Sequence, residues 1–311
     1  MESDLHNFSE NQYVNDLAGN GDYELFAAYR NNSLSYNQFY PHIDDSIARS
    51  TLKKFIHGND DFNHLTATRR ETNDSFALRR LNVILISVES LSADFMTHFG
   101  NNAHITPFLD SLAEKSVLFT NLLATGTRTV RGLEALTLSV PPTPGQSIVR
   151  RPHNENLFSL ASVLNKNDYE SKFIYGGYAY FDNMNYFFSH NGYSVIDRTS
   201  LDEDEIDYEN IWGVADENLF ALAIREIDRT IASGKLSFAH IMTTSNHRPY
   251  TYPPGRIDIP SHTSRNGAVK YSDYAMLHSS KRQDGKSGSK ILSLLSQRTI
   301  ARRVRARWSF L

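Results

Sequence analysis

The stretch from residue 81 to residue 90, LNVILISVES, decides the fold of this chain. It is a short apolar run, rich in β-branched residues and free of Gly and Pro, which is typical of a strand buried on both faces of a parallel sheet. The run ends in a carboxylate and a hydroxyl, Glu89 and Ser90. Ligand sites in open α/β sheets lie just beyond the carboxyl ends of the strands. Glu89 is therefore either a metal ligand or acid/base group, or a residue that only caps the next helix or contacts solvent.

Composition excludes several kinds of site. The chain has 311 residues and no cysteine, which rules out disulfides, thiolate metal sites and cysteine nucleophiles. Its net charge of −3 provides no global basic field for nucleic acid. No apolar run approaches the roughly 20 residues that cross a bilayer, and the acidic N-terminus does not resemble a signal peptide. We therefore expect a soluble chain with one large α/β domain or two ordinary ones.

Apolar strand-like runs and helical patterns alternate through the middle of the chain. The later predicted strands span 116–121, 170–175 and 236–243, and the predicted helices follow Thr106 and Gly126 and span 157–164, 183–191 and 216–231. Thr106 is the expected N-cap of the first helix, because a proline follows it at the first helical position. This alternation predicts an α/β fold, with a mainly parallel central sheet and helices on both faces.

Two flanking regions differ from this pattern. Residues 1–80 are polar and mixed in charge, and we expect a partly helical lead-in segment, with helices near 23–29 and 44–55 and a linker at 59–80. Residues 276–311 hold nine Lys and Arg and a single acid, without apolar periodicity. The basic tail is either an arm for nucleic acid or anionic lipid, acting through Lys281 to Arg307, or a frameshifted and disordered segment, which we favour.

Three loops that follow predicted strands carry groups suited to catalysis. They contain Glu89 with Ser90, the run from Gly126 to Gly132, and TTSNHRPY around His247. The carboxyl ends of parallel strands meet at one edge, so we expect a carboxylate, a hydroxyl at a helix start and a histidine to converge there. This combination predicts metal-assisted transfer of a phosphoryl-type group.

Each of these residues also has a simpler interpretation. A threonine at a helix start is well placed as a nucleophile towards a phosphate or sulfate ester, but Thr127 or Thr129 can equally be only the N-cap. Arg128 and Arg131 are suited to clamping an anion, although arginines are common on surfaces. His247 can bind phosphate or act as an acid or base, or it can simply be exposed.

Several long motifs carry a resemblance to a known family. In chain order they are LNVILISVESLSADF, ITPFLDSLAEKSVLFTNLLATGTRTVRGLEAL, PPTPG, IWGVADENLF, TTSNHRPY and VKYSDYA, over about two-thirds of the chain. The chain resembles the sulfatase-like phosphoglycerol transferases of the alkaline phosphatase superfamily, the lipoteichoic acid synthase group. The resemblance implies that residues 81–275 form a catalytic domain of this fold.

The resemblance also implies roles for individual residues. Glu89 matches the family's ligand to a catalytic Mn²⁺ or Mg²⁺, and Thr129 matches the residue that is both metal ligand and nucleophile. His247 matches the histidine that binds the substrate phosphate. Where the synthases have a Trp and an Arg on that phosphate, Phe181 and Asn183 stand here, so Asn183 is the expected substrate-binding residue.

The implied reaction is phosphoglycerol transfer by a catalytic domain outside the cytoplasmic membrane. The expected donor is a phospholipid or another phosphoglycerol-type molecule, the acceptor is a cell-envelope polymer, and no nucleic acid is expected. True sulfatases use a Cys or Ser converted to formylglycine, so a threonine argues against sulfate ester hydrolysis. The alternatives are a hydrolase of sulfate or phosphate esters, and a non-catalytic protein that binds anions or lipids.

The sequence departs from the family towards its C-terminus. After VKYSDYA the family continues to a strand and to an Asp-His pair that completes the metal site, and this sequence contains no Asp-His pair. We therefore expect the C-terminal part of the fold to be missing, with an exposed sheet edge and poor folding. The family's N-terminal membrane helices have no counterpart. With half of the metal ligands, activity is expected to be weak or absent.

Overall fold

The computed structural model describes residues 18, 21–30, 41–55, 80–124, 126, 128–141, 143, 145–284 and 291–297. The chain divides into two compact units, Met1–Arg80 with Thr143–Gly145, and Leu81–Pro142 with Gln146–Leu311. The first unit contains helices α1 (Gly21–Arg30) and α2 (Asp45–Phe55), where the sequence predicts helices. Before α2, the Asp44 carboxylate accepts a hydrogen bond from the Ser46 N–H at 2.8 Å, as an N-terminal cap does. Most of the predicted linker, at 59–79, lies outside the described residues.

The second unit is built on a parallel sheet of five strands. The described residues of this unit contain these five strands and two short further ones. In chain order all of them are β1 (Asn82–Val88), β2 (Tyr169–Tyr175), β3 (Ser194–Ile196), β4 (Glu209–Asn210), β5 (Gly213–Val214), β6 (Leu236–Met242) and β7 (Ile291–Gln297). The order across the sheet is β3-β2-β6-β1-β7, and every neighbouring pair is parallel. β4 and β5 form a separate antiparallel pair. The predicted parallel central sheet is therefore confirmed.

Helices cover both faces of this sheet. They are α3 (Pro107–Ala113), α4 (Thr129–Leu138), α5 (Leu160–Asn165), α6 (Met184–Ser189), α7 (Asp216–Ala232) and α8 (Arg265–Asp284). Ile84 and Ile241 belong to the core cluster on the α3, α7 and α8 face, whereas Leu85 and Phe173 belong to the cluster with α4, α5 and α6. β1 needs an apolar sequence because it contributes to both clusters. None of the helices in the described ranges has the length and apolar character of a membrane span.

The segment 116–121 is not the strand that its sequence predicts. It is irregular, and the side chains of Val117 and Phe119 are 83% and 60% exposed. β-branched and aromatic residues favour a strand when neighbouring strands and side chains cover them. In the described part of the second unit no strand pairs with this segment, so its residues lack the covering contacts that would stabilise a strand.

The region after residue 275 contains regular structure where the sequence predicted disorder. α8 continues through the expected boundary to Asp284, and Ala275 and Met276 are buried in the core. β7 pairs with β1 along its whole length, so β1 has a strand on each side. Residues 276–284 and 291–297 thus have regular structure, while the expectation that the tail as a whole is frameshifted and disordered stays a prediction. The strand at 291–297 is not predicted because the short apolar run ILSLLS is interrupted by Ser and follows a stretch rich in Lys and Ser.

Candidate active site

The carboxyl ends of β1 and β6 meet at one edge of the sheet. The backbone N–H of Thr243 donates to the Ser87 carbonyl at 3.1 Å, which continues the pairing of the two strands. The Glu89 N–H then donates to Thr243 Oγ1 at 2.9 Å, and Asn246 Nδ2 donates to the Glu89 carbonyl at 2.8 Å. These bonds tie the ends of the two strands into one framework, as expected for a site at the carboxyl edge.

The carboxylate of Glu89 is buried within this framework. The residue is 3% exposed, so it is neither a solvated group nor a surface cap. Ser90 Oγ donates to Oε1 at 2.8 Å, and Thr129 Oγ1 donates to Oε2 at 3.0 Å. Ser90 has a left-handed backbone, with φ of 52°, and its carbonyl accepts a hydrogen bond from Arg265 Nη2 at 2.5 Å. Glu89 and Thr129, distant in sequence, are therefore in direct contact.

Thr129 is the first residue of α4 and is not its cap. Arg128 occupies the N-cap position without a side-chain capping bond, and the Thr129 hydroxyl turns to Glu89 instead. The interpretation of Thr129 as only an N-cap is therefore wrong, while Thr127 lies outside the described residues. The first turn of a helix carries partial positive charge, so the half-buried hydroxyl lies where an anion is stabilised.

His247, the third predicted site residue, lies beside the aromatic rings of Trp212 and Phe181, which we call the aromatic wall. Its Nε2 lies 4.0 Å from Glu89 Oε1, and its side chain is 37% exposed. The imidazole stacks on the Trp212 ring with 3.9 Å between centroids, and Phe181 meets Trp212 edge-on at 6.1 Å. The Trp212 indole N–H donates to the Arg248 carbonyl, which fixes the wall against the loop. Sequence reasoning missed Trp212, although the motif IWGVADENLF contains it.

Trp212 reaches the site because β5 packs very closely against the end of β2. Gly213 has φ of +137°, and a Cβ there would lie 2.2 Å from the Gly176 carbonyl oxygen. A Cβ on Gly177 would lie 2.4 Å from the Trp212 carbonyl oxygen. The Val214 N–H donates to the Gly176 carbonyl at 2.9 Å. Only glycines permit this approach, which explains the GGY that ends β2.

A second buried carboxylate, also missed, holds the loop after β6. Asp216 begins α7 and is fully buried. Its Oδ1 accepts hydrogen bonds from the N–H groups of Thr244 and Ser245, both at 3.1 Å, and its Oδ2 accepts one from Ser272 Oγ at 2.7 Å. Burial raises the pKa of Asp216 above its ordinary value. An aspartate that begins a helix in a shared motif is the signal that points to it.

The other predicted site residues make different contacts. Arg131 Nη1 donates to Glu134 Oε1 at 2.8 Å, so this half-buried arginine forms an ion pair with a carboxylate that is 1% exposed. Asn183 Nδ2 donates to the Val149 carbonyl at 3.0 Å from a left-handed backbone. Arg128 is exposed at the start of α4. The contacts of Arg131 and Asn183 are thus with the protein itself.

Comparisons with known proteins identify the family of this chain. Residues 81–277 match the Sulfatase family. Lipoteichoic acid synthase 1 of Bacillus subtilis (strain 168) is 27% identical over 198 residues, which are 60% of this chain and 30% of the synthase. A protein of the alkaline phosphatase superfamily from Vibrio parahaemolyticus is 33% identical with a TM-score of 0.76, over 85% of this chain and 65% of that protein.

A further solved structure shows the same fold at lower identity. Lipoteichoic acid synthase LtaP from Listeria monocytogenes is 20% identical with a TM-score of 0.58, over 66% of this chain and 52% of that chain. This chain therefore spans less than a third of the curated synthase and less than two thirds of either solved structure. The family match extends from the start of β1 into α8 and includes all three site loops. The chain belongs to the sulfatase family, as its motifs indicate.

Proposed function

We propose that this chain is a metal-dependent phosphoryl-type transferase, with Thr129 as the nucleophile and a phosphoglycerol ester as the donor, and that its turnover is low because the sequence lacks the family's Asp-His pair of metal ligands. The observation that carries the proposal is the 3.0 Å hydrogen bond from Thr129 Oγ1 to the buried Glu89 carboxylate. A threonine hydroxyl is a weak nucleophile at neutral pH, and it needs a group that orients it and withdraws its proton. The contact with Glu89 supplies the orientation.

The proposed transfer proceeds in two displacements. In the first, Thr129 Oγ1 forms a bond to phosphorus while the bond between phosphorus and the leaving alcohol breaks. The Thr129 proton moves towards Glu89, and the start of α4 favours the negative charge on the phosphoryl oxygens. His247 is partly exposed beside Glu89, so it binds the phosphate or gives a proton to the leaving alcohol. An acceptor hydroxyl then takes the phosphoglycerol group from Thr129.

The donor atoms at this position suit a hard divalent cation. The Glu89 carboxylate and the Thr129 hydroxyl are oxygen ligands of the kind that Mg²⁺ and Mn²⁺ prefer, and these two residues would hold the ion together with water and substrate oxygens. When bound, such an ion lowers the pKa of a coordinated hydroxyl and offsets charge on a phosphoryl group. With two protein ligands we expect binding in the millimolar range. In the described ranges, no cluster of three or more His, Asp or Glu could hold a metal.

The similarity to lipoteichoic acid synthase 1 supports the choice of substrates. A glycerophospholipid, or a smaller phosphoglycerol ester, is the proposed donor, and a cell-envelope polymer is the proposed acceptor. A cell-envelope polymer as acceptor supports a reaction outside the cytoplasmic membrane. The threonine nucleophile is the reason to prefer phosphate over sulfate esters.

Replacing the nucleophile tests this proposal directly. The purified chain is incubated with a fluorescent glycerophospholipid analogue and millimolar Mn²⁺, and release of the diacylglycerol product is measured. Thr129→Ala should lower turnover by about 10³-fold or more, because the attacking oxygen is removed. Thr129→Ser keeps a hydroxyl and should retain part of the activity. Thr120→Ala, at an exposed threonine in the preceding segment, should match the wild type.

Two results would contradict the proposal. Unchanged turnover in a correctly folded Thr129→Ala protein would exclude Thr129 as the nucleophile. Binding of glycerol phosphate that persists in EDTA, without turnover in Mn²⁺, would instead favour the non-catalytic anion-binding alternative.

A further inference from the structure

The loop after β2 carries a concentration of exposed aromatic rings. Tyr180 is 77% exposed, Phe181 45% and Tyr186 43%, and Tyr178 beside them is also exposed. Aromatic side chains of this size normally gain stability by burial. A group of exposed rings on one surface is a common mark of a binding site.

These rings line an open groove that also contains charged groups. Tyr180, Phe181 and Tyr186 share the groove, of about 990 Å³, with Arg150, Asp182 and Glu155. Tyr186 stacks on the ring of His190 with 4.0 Å between centroids, which orients its face. The groove therefore offers flat apolar surfaces with hydrogen-bonding groups between them.

Aromatic contacts connect one side of the groove to the proposed catalytic site. Phe181 lines the groove and contacts Trp212 at 6.1 Å, and Trp212 stacks on His247 at 3.9 Å. Phe181 is therefore separated from His247 by a single ring, that of Trp212. This position suits the second substrate of a transfer reaction.

The charges in the groove favour a neutral ligand. Arg150 Nε lies 3.5 Å from Asp182 Oδ1, so this cation already has an anionic partner. Arg151 and Glu155 add one further charge of each sign to the lining. The two arginines and two carboxylates cancel formally, and such a surface gives no strong attraction for a polyanion.

We propose that this groove binds the sugar rings of a neutral glycan that is the acceptor of the transfer. The C–H faces of pyranose rings pack on Tyr180 and Tyr186, while the charged groups hydrogen-bond sugar hydroxyls. A sugar hydroxyl then attacks the phosphorus held on Thr129: the new O–P bond forms, the bond to Thr129 Oγ1 breaks, His247 takes the sugar proton, and Glu89 returns its proton to Thr129. This inference rests on the proposed transferase function.

Binding of defined oligosaccharides tests the groove without any catalytic step. Neutral hexasaccharides of glucose, of galactose and of N-acetylglucosamine are titrated into the full chain by calorimetry, without metal or donor. At least one should bind, and Tyr180→Ala and Tyr186→Ala should each weaken its Kd about tenfold. Tyr180→Phe keeps the ring and should retain most of the affinity. Phe158→Ala, at an exposed aromatic residue outside the groove, should have no effect.

The two proposals can fail separately. The glycan groove is excluded if the wild type hydrolyses the lipid analogue but binds none of the hexasaccharides. It is also excluded if neither tyrosine variant weakens binding. In both cases the proposal of Thr129 as the nucleophile is unaffected. If hexasaccharides bind and the tyrosine variants weaken them, but no turnover occurs, the groove stands and the transferase is excluded. Tighter binding of a poly(glycerol phosphate) chain than of every hexasaccharide would also exclude a neutral glycan as the ligand.

Discussion

The two loops that form the proposed site are held in very different ways. Residues 243–246, after β6, are all buried, and Asp216 and Asn246 fix this loop to its surroundings. The segment before Thr129 is largely exposed, with Leu122 and Leu123 at 53% and 71%. One side of the site is therefore fixed in advance by buried polar bonds. On the other side, the described residues that precede the nucleophile, at 116–124 and 126, make no buried polar bond of this kind.

Thr129 owes its position to the helix behind it. Val130 and Leu133 are buried in the core, and the Glu134 carboxylate accepts hydrogen bonds from Ser147 Oγ at 2.7 Å and from the Ile148 N–H at 2.6 Å. These contacts fix α4, and the helix presents Thr129 to Glu89. The comparison teaches that the contacts positioning the nucleophile come from the body of α4 rather than from the described residues before it.

Replacing Asp216, which holds the fixed loop, should lower stability substantially. Asp216→Ala leaves the N–H groups of Thr244 and Ser245 and the hydroxyl of Ser272 without their acceptor. Unsatisfied buried donors cost about 1–3 kcal/mol each, partly relieved by water that enters the space. We expect the free energy of unfolding to fall by about 2–4 kcal/mol in urea titrations.

Asp204→Ala is the matched control for that measurement, because Asp204 is an exposed acid. It should change the free energy of unfolding by less than about 0.5 kcal/mol. Equal stability of the Asp216→Ala protein and this control would show that the loop is not held by Asp216. The two sides of the site would then not differ in how firmly they are held.

The free energy of unfolding should also depend on pH, through Asp273 in α8, the helix whose Ser272 contacts Asp216. Asp273 accepts hydrogen bonds from the N–H groups of Phe108 and Leu109, both at 2.9 Å, and burial raises its pKa from 3.8 to about 6. The folded state therefore holds the proton more tightly than the unfolded state between pH 3.8 and pH 6. The cost of the buried charge is fully present above pH 6 and is relieved as the pH falls.

The difference between wild type and Asp273→Asn isolates this group, since other titrating residues, such as Lys270 and Asp110 nearby, are common to both. Relative to the variant, the wild type should gain about 1–2 kcal/mol of stability from pH 7 to pH 5. Urea titrations at both pH values measure this difference. A difference that is constant with pH would show that Asp273 has the same pKa in both states.

Local patterns in the sequence are sufficient for much of this architecture. β1 and β6 are predicted because each is an apolar run long enough for a buried strand, and β2 is predicted although Glu170, Ser171 and Lys172 precede its apolar residues. Glu89, Thr129 and His247 are found because each stands next to such an element, at its end or at a helix start. The sequence pattern places them at one edge of the sheet, and the structure brings Glu89 and Thr129 into contact.

Other features depend on partners that lie far away in the chain. Asp216 is significant because of Ser245 and Ser272, and Trp212 because of His247, and no local pattern contains those pairs. The strand predicted at 116–121 is wrong for the same reason, since its residues meet no neighbouring strand among those described. The roles of the site residues in catalysis remain predictions, because contact does not identify the step that each performs.

The smallest effect is expected at the exposed side of the comparison. Leu123→Ser removes an apolar side chain that is 71% exposed, so little buried area is lost. The free energy of unfolding should change by less than about 0.5 kcal/mol. Leu133→Ser provides the contrast, because Leu133 is 1% exposed in the core behind α4, and it should cost about 3–5 kcal/mol. A large loss in the Leu123→Ser protein would mean that the segment before Thr129 is supported after all, and that the nucleophile is fixed from both directions.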